Sequence, residues 1–190
     1  MKIVLVRHGE RDYAPCYERG WIGQGLELAP LTELGCNQAE AVADNPLLQG
    51  AQLIVSSPYT RALQTAAIIS RLTRIPLTVE IDLHEWIVDL TFQNKAVEPH
   101  YGNAALLEFA ENYGRYPEGE VRTWETIDMM SERAIRALKK YLSYDKIIVV
   151  THGILMRQLK AYMHVPNCFA DEIEFSADFS ALGWWRNEHI

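Results

Sequence analysis

Lys2-Ile3-Val4-Leu5-Val6-Arg7-His8-Gly9 sets an unbroken apolar run directly against an arginine, a histidine and a glycine. Without polar alternation, such a run has the pattern of a strand covered on both faces, as in a parallel sheet lying between helices. Gln52–Val55 and Lys146–Val150 are two more runs of this kind, and each also ends at once in polar residues. The segments between them read as helices. Glu33 to Ala43 has helical composition, with Thr32 as its amino-terminal cap. Beyond Pro58, Tyr59 to Leu72 reads as a helix with Ala62, Leu63, Ala66, Ala67, Ile69 and Ser70 on or near its packed side. The longest pattern runs from about Trp124 to Leu142, placing Ile127, Met130, Ala134, Ile135, Leu138 and Leu142 at spacings of three and four. This order predicts an α/β fold around a largely parallel sheet.

Two regions are less regular. From about Thr91 to Val121 the chain is punctuated by Pro99, Gly102, Gly114, Pro117 and Gly119, which predicts an insertion or lid at about 91–121 within one domain spanning 1–190. The tail, Ile173-Glu174-Phe175 followed by Ala181 to Trp185, has the aromatic character of one or two edge strands, with Trp184-Trp185 as packing residues.

Composition narrows the function. The 190 residues include 18 basic and 25 acidic side chains for a formal net charge of -7, and 48% are hydrophobic. That is a globular chain, not a disordered one. Its acidic balance argues against a nucleic-acid partner, which would require a surplus of Lys and Arg. Any anion must therefore meet a local cationic pocket. Cys16, Cys36 and Cys168 are far apart and match neither a disulfide framework nor a zinc site. The first apolar run is too short for a signal peptide, and no run approaches a membrane span. A cytoplasmic protein without a membrane partner is expected.

Ligands of open α/β sheets bind at the carboxyl ends of the strands. Here those ends read Arg7-His8-Gly9, Thr151-His152-Gly153, and Ser56-Ser57-Pro58 with Arg61 opening the next helix. Arginine cannot lose its proton and offers a planar fork to phosphate oxygens, so Arg7 and Arg61 suit a phosphoryl clamp. A neutral imidazole can attack phosphorus, and a second can hydrogen-bond a transferring oxygen. Glu85, just after Ile81 to Leu83, is the best-placed acid for protonating the leaving oxygen, with Trp86 beside it to exclude water. Two flanking arginines would repel a cation between His8 and His152, so no metal is expected. His84, His100, His164 and His189 have no comparable neighbours and read as structural or surface residues. The glycines after His8 and His152 allow close backbone approach or positive φ.

With these residues in hand, the chain resembles the histidine phosphatase superfamily, also called phosphoglycerate mutase-like. The resemblance is carried by Leu5-Val6-Arg7-His8-Gly9-Glu10; Pro30-Leu31-Thr32 with Gly35 and Gln38-Ala39; Ser56-Ser57-Pro58 through Arg61-Ala62 and Gln64-Thr65-Ala66; Leu83-x-Glu85; and Val149-Val150-Thr151-His152-Gly153. It implies a three-layer α/β/α sandwich with a mostly parallel mixed central sheet. It also implies His8 as phosphorylated nucleophile, Arg7, Arg61 and His152, with Gly153, as the phosphate pocket, Glu85 as proton donor, and no cofactor.

Many members carry an asparagine shortly after the first motif. Here that region reads Glu10-Arg11-Asp12-Tyr13-Ala14-Pro15, and Arg11 is expected to take the contact. Together with Glu85-Trp86, the pattern resembles a branch that includes tyrosine- and steroid-phosphate phosphatases. Glu120 after Gly119 resembles the family's Gly-Glu element ahead of the long helix, although Val121 stands where a hydroxyl residue is common.

The expected function is a metal-independent phosphomonoesterase of the histidine acid phosphatase type, acting on a small phosphorylated substrate or a phosphoprotein. The alternatives are a cofactor-dependent phosphoglycerate mutase, which a short lid disfavours, and a non-catalytic phosphate-binding module. Specificity is expected in Arg11 to Gly23 and in the lid. Tyr13, Trp21, Trp86, Phe92 and Tyr101 are candidates for an apolar leaving-group pocket, or for packing.

Overall fold

In the computed structural model the described residues are 1–93 and 101–181, with residues 101–103 described by backbone alone. Strands β1 (Lys2–Arg7), β2 (Leu53–Ser56), β3 (Leu77–Val79), β4 (Lys146–Thr151) and β5 (Ala170–Glu174) form one sheet in the order β3-β2-β4-β1-β5. The first four run parallel, and β5 pairs antiparallel with β1 at one edge. Helices α1 (Ala14–Glu18), α2 (Glu33–Ala43), α3 (Thr60–Thr73), α4 (Tyr101–Glu111), α5 (Ile127–Lys139) and α6 (Gly153–Leu159) complete the described elements, with short 3-10 turns between some of them.

Both faces of the sheet are covered, which explains the unbroken apolar runs. Ile3, Leu5, Ile147 and Val149 face one core with Phe109 of α4, Met130 and Leu138 of α5 and Leu155 of α6. Val4, Val6, Ile148 and Val150 face the other, with Val42 of α2 and Ala62, Ala66 and Ile69 of α3. Alternate residues of each strand thus feed opposite layers, giving an α/β/α sandwich around a mostly parallel mixed sheet.

Local signals set the helix starts. The Thr32 hydroxyl accepts from Gly35 N–H at 2.9 Å and caps α2. Thr126 does the same for α5 through Met129 N–H at 3.2 Å. The α5 helix is therefore shorter than its apolar spacing predicts: Trp124 and Glu125 precede the cap, and Leu142 lies beyond the last turn. Glu120 precedes this helix, is exposed and pairs with Arg122 at 2.5 Å. The acidic residue beside the cap is Glu125. On α3 the buried face comprises Arg61, Ala62, Thr65, Ala66 and Ile69, whereas Ala67 faces solvent.

Residues 91–121 are more regular than their punctuation suggests. Among those described, α4 buries Ala105 and Phe109 in the main core, with Phe109 ring-to-ring against Trp86 at 5.0 Å and Trp124 at 5.4 Å. In the tail, β5 takes up Ile173-Glu174 as an edge strand; residues 182–185, including the Trp184-Trp185 pair, lie outside the described residues. The short β3 strand is an addition to the strands expected from sequence. Among the described residues no helix is long and apolar enough to cross a membrane.

Candidate active site

The register of β1 and β4 sets Arg7 opposite Thr151, so His8 and His152 leave neighbouring strands at the same level. His8 N–H donates to Thr151 O at 3.0 Å, and the two imidazole centroids are 5.1 Å apart. At the end of β2, Ser57 N–H donates to Val150 O at 2.9 Å, and α3 then brings in the buried Arg61.

The turn after His8 is pressed onto α2 and α3. Gly9 N–H donates to Thr65 Oγ1 at 3.0 Å, while Thr32 Oγ1 donates to Glu10 Oε2 at 2.7 Å. A Cβ on Gly9 would stand 2.5 Å from Gly35 O, and one on Gly35 would run into Glu10 O, so both glycines serve backbone contact. Neither Gly9 nor Gly153 has positive φ, which removes the conformational reason for a glycine at either position.

The partners of His8 fix its chemistry. Gly9 O lies 2.7 Å from Nδ1 and can only accept, so Nδ1 carries the ring proton. Nε2 then keeps its lone pair and accepts from Arg61 Nε–H at 3.2 Å. Burial, reinforced by the Arg61 guanidinium, lowers His8 from the ordinary imidazole range to about 3. At neutral pH it is an uncharged imidazole with Nε2 available as a nucleophile.

His152 is fully buried, and burial likewise holds it well below the ordinary range. Ser57 Oγ accepts from Tyr59 N–H at 3.3 Å and has its proton to give to His152 Nε2 at 2.7 Å. In that assignment Nδ1 is a donor, and it has no hydrogen-bond partner among the described residues. Arg7 Nε is orphaned in the same way, although Arg7 Nη1 donates to Val165 O. Buried orphaned donors are rare and call for an acceptor.

A cleft of about 380 Å³ opens here. Arg7, His8, Arg11, Arg61, Glu85 and Gly153 all line it; His152 is fully buried and is not among the lining residues, its ring centroid lying 5.1 Å from that of His8. Arg11 is exposed and stacks over Tyr13 at 4.8 Å. The Glu85 carboxylate accepts from Trp86 N–H at 3.0 Å, Ile154 N–H at 3.1 Å and Leu155 N–H at 3.2 Å, which ties it to the first turn of α6. Of the aromatic candidates, Tyr13 and Trp86 line the cleft. Trp21 and Phe92 are exposed elsewhere, and the side chain of Tyr101 lies outside the described ones.

Three polar cleft residues, beside the apolar Val88, Ile154 and Val165, go beyond those expected from sequence. Glu27, just beyond the expected specificity loop, sits against Arg61 Nη1 at 2.5 Å, and burial raises its carboxyl above the usual range. Arg157 lies one helical turn after Gly153, a spacing that could have flagged it. His164, expected to be structural or on the surface, is exposed and also lines the cleft. His84 packs against Tyr59, whereas His100 and His189 lie outside the described residues. The described residues of 91–121 contribute nothing to the lining.

The neutral histidines set a pH dependence of stability. The unfolded chain binds protons near the ordinary imidazole pKa of ~6.5, whereas the folded chain holds His8 unprotonated down to about 3. Stability is therefore expected to fall as pH drops through that window, by about 1.4 kcal/mol per pH unit for each such histidine. Urea midpoints at several pH values check this. His8→Asn is expected to flatten the slope, and parallel curves for parent and variant would count against it.

Two neutral imidazoles beside Arg7 and Arg61, at the carboxyl ends of parallel strands, make a cationic pocket whose chemistry suits a phosphoryl group. Comparison with known proteins gives the family: a profile of the histidine phosphatase superfamily (branch 1) matches residues 3–181, and the chain belongs to that superfamily. This makes it a phosphatase or a mutase. It is 29% identical over 163 residues to the "Uncharacterized phosphatase PhoE" of Bacillus subtilis, covering 83% of this chain and 74% of that one. It is 26% identical over 205 aligned positions to the "Probable phosphoglycerate mutase GpmB" of Proteus mirabilis, covering 97% and 90%. Among solved structures, a mycobacterial glucosyl-3-phosphoglycerate phosphatase shares the fold with a TM-score of 0.65 at 24% identity, covering 91% of this chain and 90% of its own.

Proposed function

We propose that the chain is a phosphomonoesterase that works through a phosphohistidine and without a metal ion, a hydrolase of the histidine acid phosphatase type. The observation that carries this reading is the state of His8: neutral, proton on Nδ1, lone pair on Nε2, in a cleft lined by arginines. Arg61 Nε–H, which rests on that lone pair, turns to a phosphoryl oxygen as substrate enters. Arg7 Nε–H and His152 Nδ1–H supply the donors that lack acceptors, with Arg11 and Gly153 beside them. Nε2 then bonds to phosphorus while the ester P–O bond breaks, and the leaving oxygen takes a proton from Glu85. Water, giving its proton to the Glu85 carboxylate, attacks the phosphohistidine; the N–P bond breaks and orthophosphate leaves.

The cleft volume suits a small phosphomonoester, and Tyr13 and Trp86 offer an apolar wall to its leaving group. A net charge of -7 and three free thiols fit a cytoplasmic enzyme without nucleic-acid or membrane partners. The second reading, isomerisation of a phosphorylated acid, is favoured by the name of the P. mirabilis relative. A binding module would need the arginines, but neither a nucleophile nor an acid.

Chelator-treated protein assayed on aryl, sugar, nucleotide and protein phosphates is expected to release orthophosphate and to yield an acid-labile, alkali-stable phosphoenzyme. Isomerisation without phosphate release would replace hydrolysis by the mutase reading. Phosphate binding with no turnover and no phosphoenzyme would leave only a binding module.

A further inference from the structure

The segment that carries Glu85 is irregular, a 3-10 turn at Ile81–Leu83 followed by chain in no helix or strand; Leu83 O accepts from Thr151 Oγ1 at 2.7 Å, Glu85 O lies 2.7 Å from His84 Nδ1, and three of the segment's carbonyls meet one buried guanidinium. Arg133 of α5 donates through Nη1 to Asp82 O at 2.6 Å and His84 O at 2.9 Å, and through Nη2 to Glu85 O at 3.3 Å. Its remaining donors close on Glu125, Nε on Oε1 at 2.5 Å and Nη2 on Oε2 at 2.9 Å. All five N–H donors of the side chain are used. Glu125 holds the far side of the same segment: Oε2 accepts from Ile87 N–H at 3.2 Å, its carbonyl accepts from Trp86 Nε1–H at 2.6 Å, and its N–H donates to Ile87 O at 2.8 Å. Arg133 is 7% exposed and Glu125 is 3% exposed.

We propose that Arg133, locked by Glu125, is a positioning residue for the Glu85 carboxyl, fixing the backbone from which the acid reaches the leaving oxygen. The inference rests on the assignment of Glu85 as proton donor. A buried ion pair is weak evidence for stability in itself, because desolvation offsets the attraction. What singles this pair out is where its donors go: three carbonyls within four residues of the acid's own segment. The carboxyl is held separately by the N–H groups of Ile154 and Leu155. Beside the Thr151 bond to Leu83 O and the local His84 contact, backbone and side chain of Glu85 are thus anchored to different helices, α5 and α6, and loss of the Arg133 anchor loosens the backbone that carries the acid. Lysine at 133 would keep the charge but offers only three donors on a point, too few to hold Glu125 and the carbonyls together.

The test uses kcat/KM, which reports the step that breaks the ester bond, on two substrates. An aryl ester with a nitrophenolate leaving group needs little help from an acid; an alkyl phosphate needs it fully. Glu85→Gln is expected to lower kcat/KM on the alkyl ester by about 10²–10³ and on the aryl ester far less. Arg133→Lys is expected to show the same bias, losing at least about tenfold on the alkyl ester. The double variant should do no worse on the alkyl ester than Glu85→Gln alone. Equal losses on both esters in Arg133→Lys, or additive losses in the double variant, would overturn the positioning role. Equal losses in Glu85→Gln would overturn the acid assignment instead. Should Arg133→Lys fail to fold, Glu125→Gln, which keeps the arginine and the side-chain shape, replaces it: a loss biased toward the alkyl ester supports positioning, and equal losses on both esters overturn it.

Discussion

His8→Asn is expected to abolish turnover, with a loss of about five orders of magnitude, and to leave no trappable phosphoenzyme. Asparagine is the informative replacement because its amide can still donate to Gly9 O, where His8 Nδ1 now sits at 2.7 Å, while offering no nucleophile at Nε2. The turn would stay pressed onto Gly35 and Thr65, so phosphate affinity and the folded state should survive. Steady-state hydrolysis, phosphoenzyme trapping and phosphate binding measured on one preparation separate these effects. A variant within about tenfold of the parent would move the nucleophile elsewhere.

Arg61→Met is expected to cost about 10²–10³ in kcat/KM, the loss associated with removing one donor that meets developing charge. A second signature distinguishes it from a generic defect. The Arg61 guanidinium is the strongest charge holding His8 down, so its removal should raise the His8 pKa. Protonation of the nucleophile would then begin at higher pH, and the acid limb of the pH–rate profile would shift upward. An unshifted limb, or an unshifted His8 resonance in a titration followed by NMR, would argue that Arg61 does not act on His8. The variant also leaves the Glu27 carboxylate without its partner at 2.5 Å, so some loss of stability should accompany it.

Much of the layered fold is readable in the sequence because burial on both sheet faces writes itself into composition. β1 and β4 stand out as apolar runs, and the α2 cap at Thr32 is visible as a threonine ahead of a helical stretch. The short β3 strand leaves no such trace. Leu77-Thr78-Val79 is an edge strand of partly exposed residues, too short to show a period. Trp124 and Glu125 look like part of the long helix because they are buried; burial at a helix entrance mimics helical spacing. In the site, the residues that project from strand ends are legible, since their position follows from sheet topology. Glu27 and His164 are not, because they reach the cleft from a 3-10 turn and a loop whose paths depend on tertiary packing; Arg157 is legible only through its spacing of one helical turn from Gly153. Arg133 is hidden by its own burial: on a helix whose other inward residues are mainly apolar, a single arginine carries no sequence signal of the carbonyls it meets.

The pairing of β1 with β4 also has a consequence in time. Lys2 to Arg7 lie opposite Lys146 to Thr151, so the strand that leads into His8 cannot find its central neighbour until some 140 residues later have been made. At ribosomal speeds that wait is on the order of ten seconds. Such distant pairing makes folding slow, and until then the first strand must keep its apolar residues out of other associations. His8 and His152 come together only when that pairing closes, so the cleft between them cannot form before the second of the two strands exists.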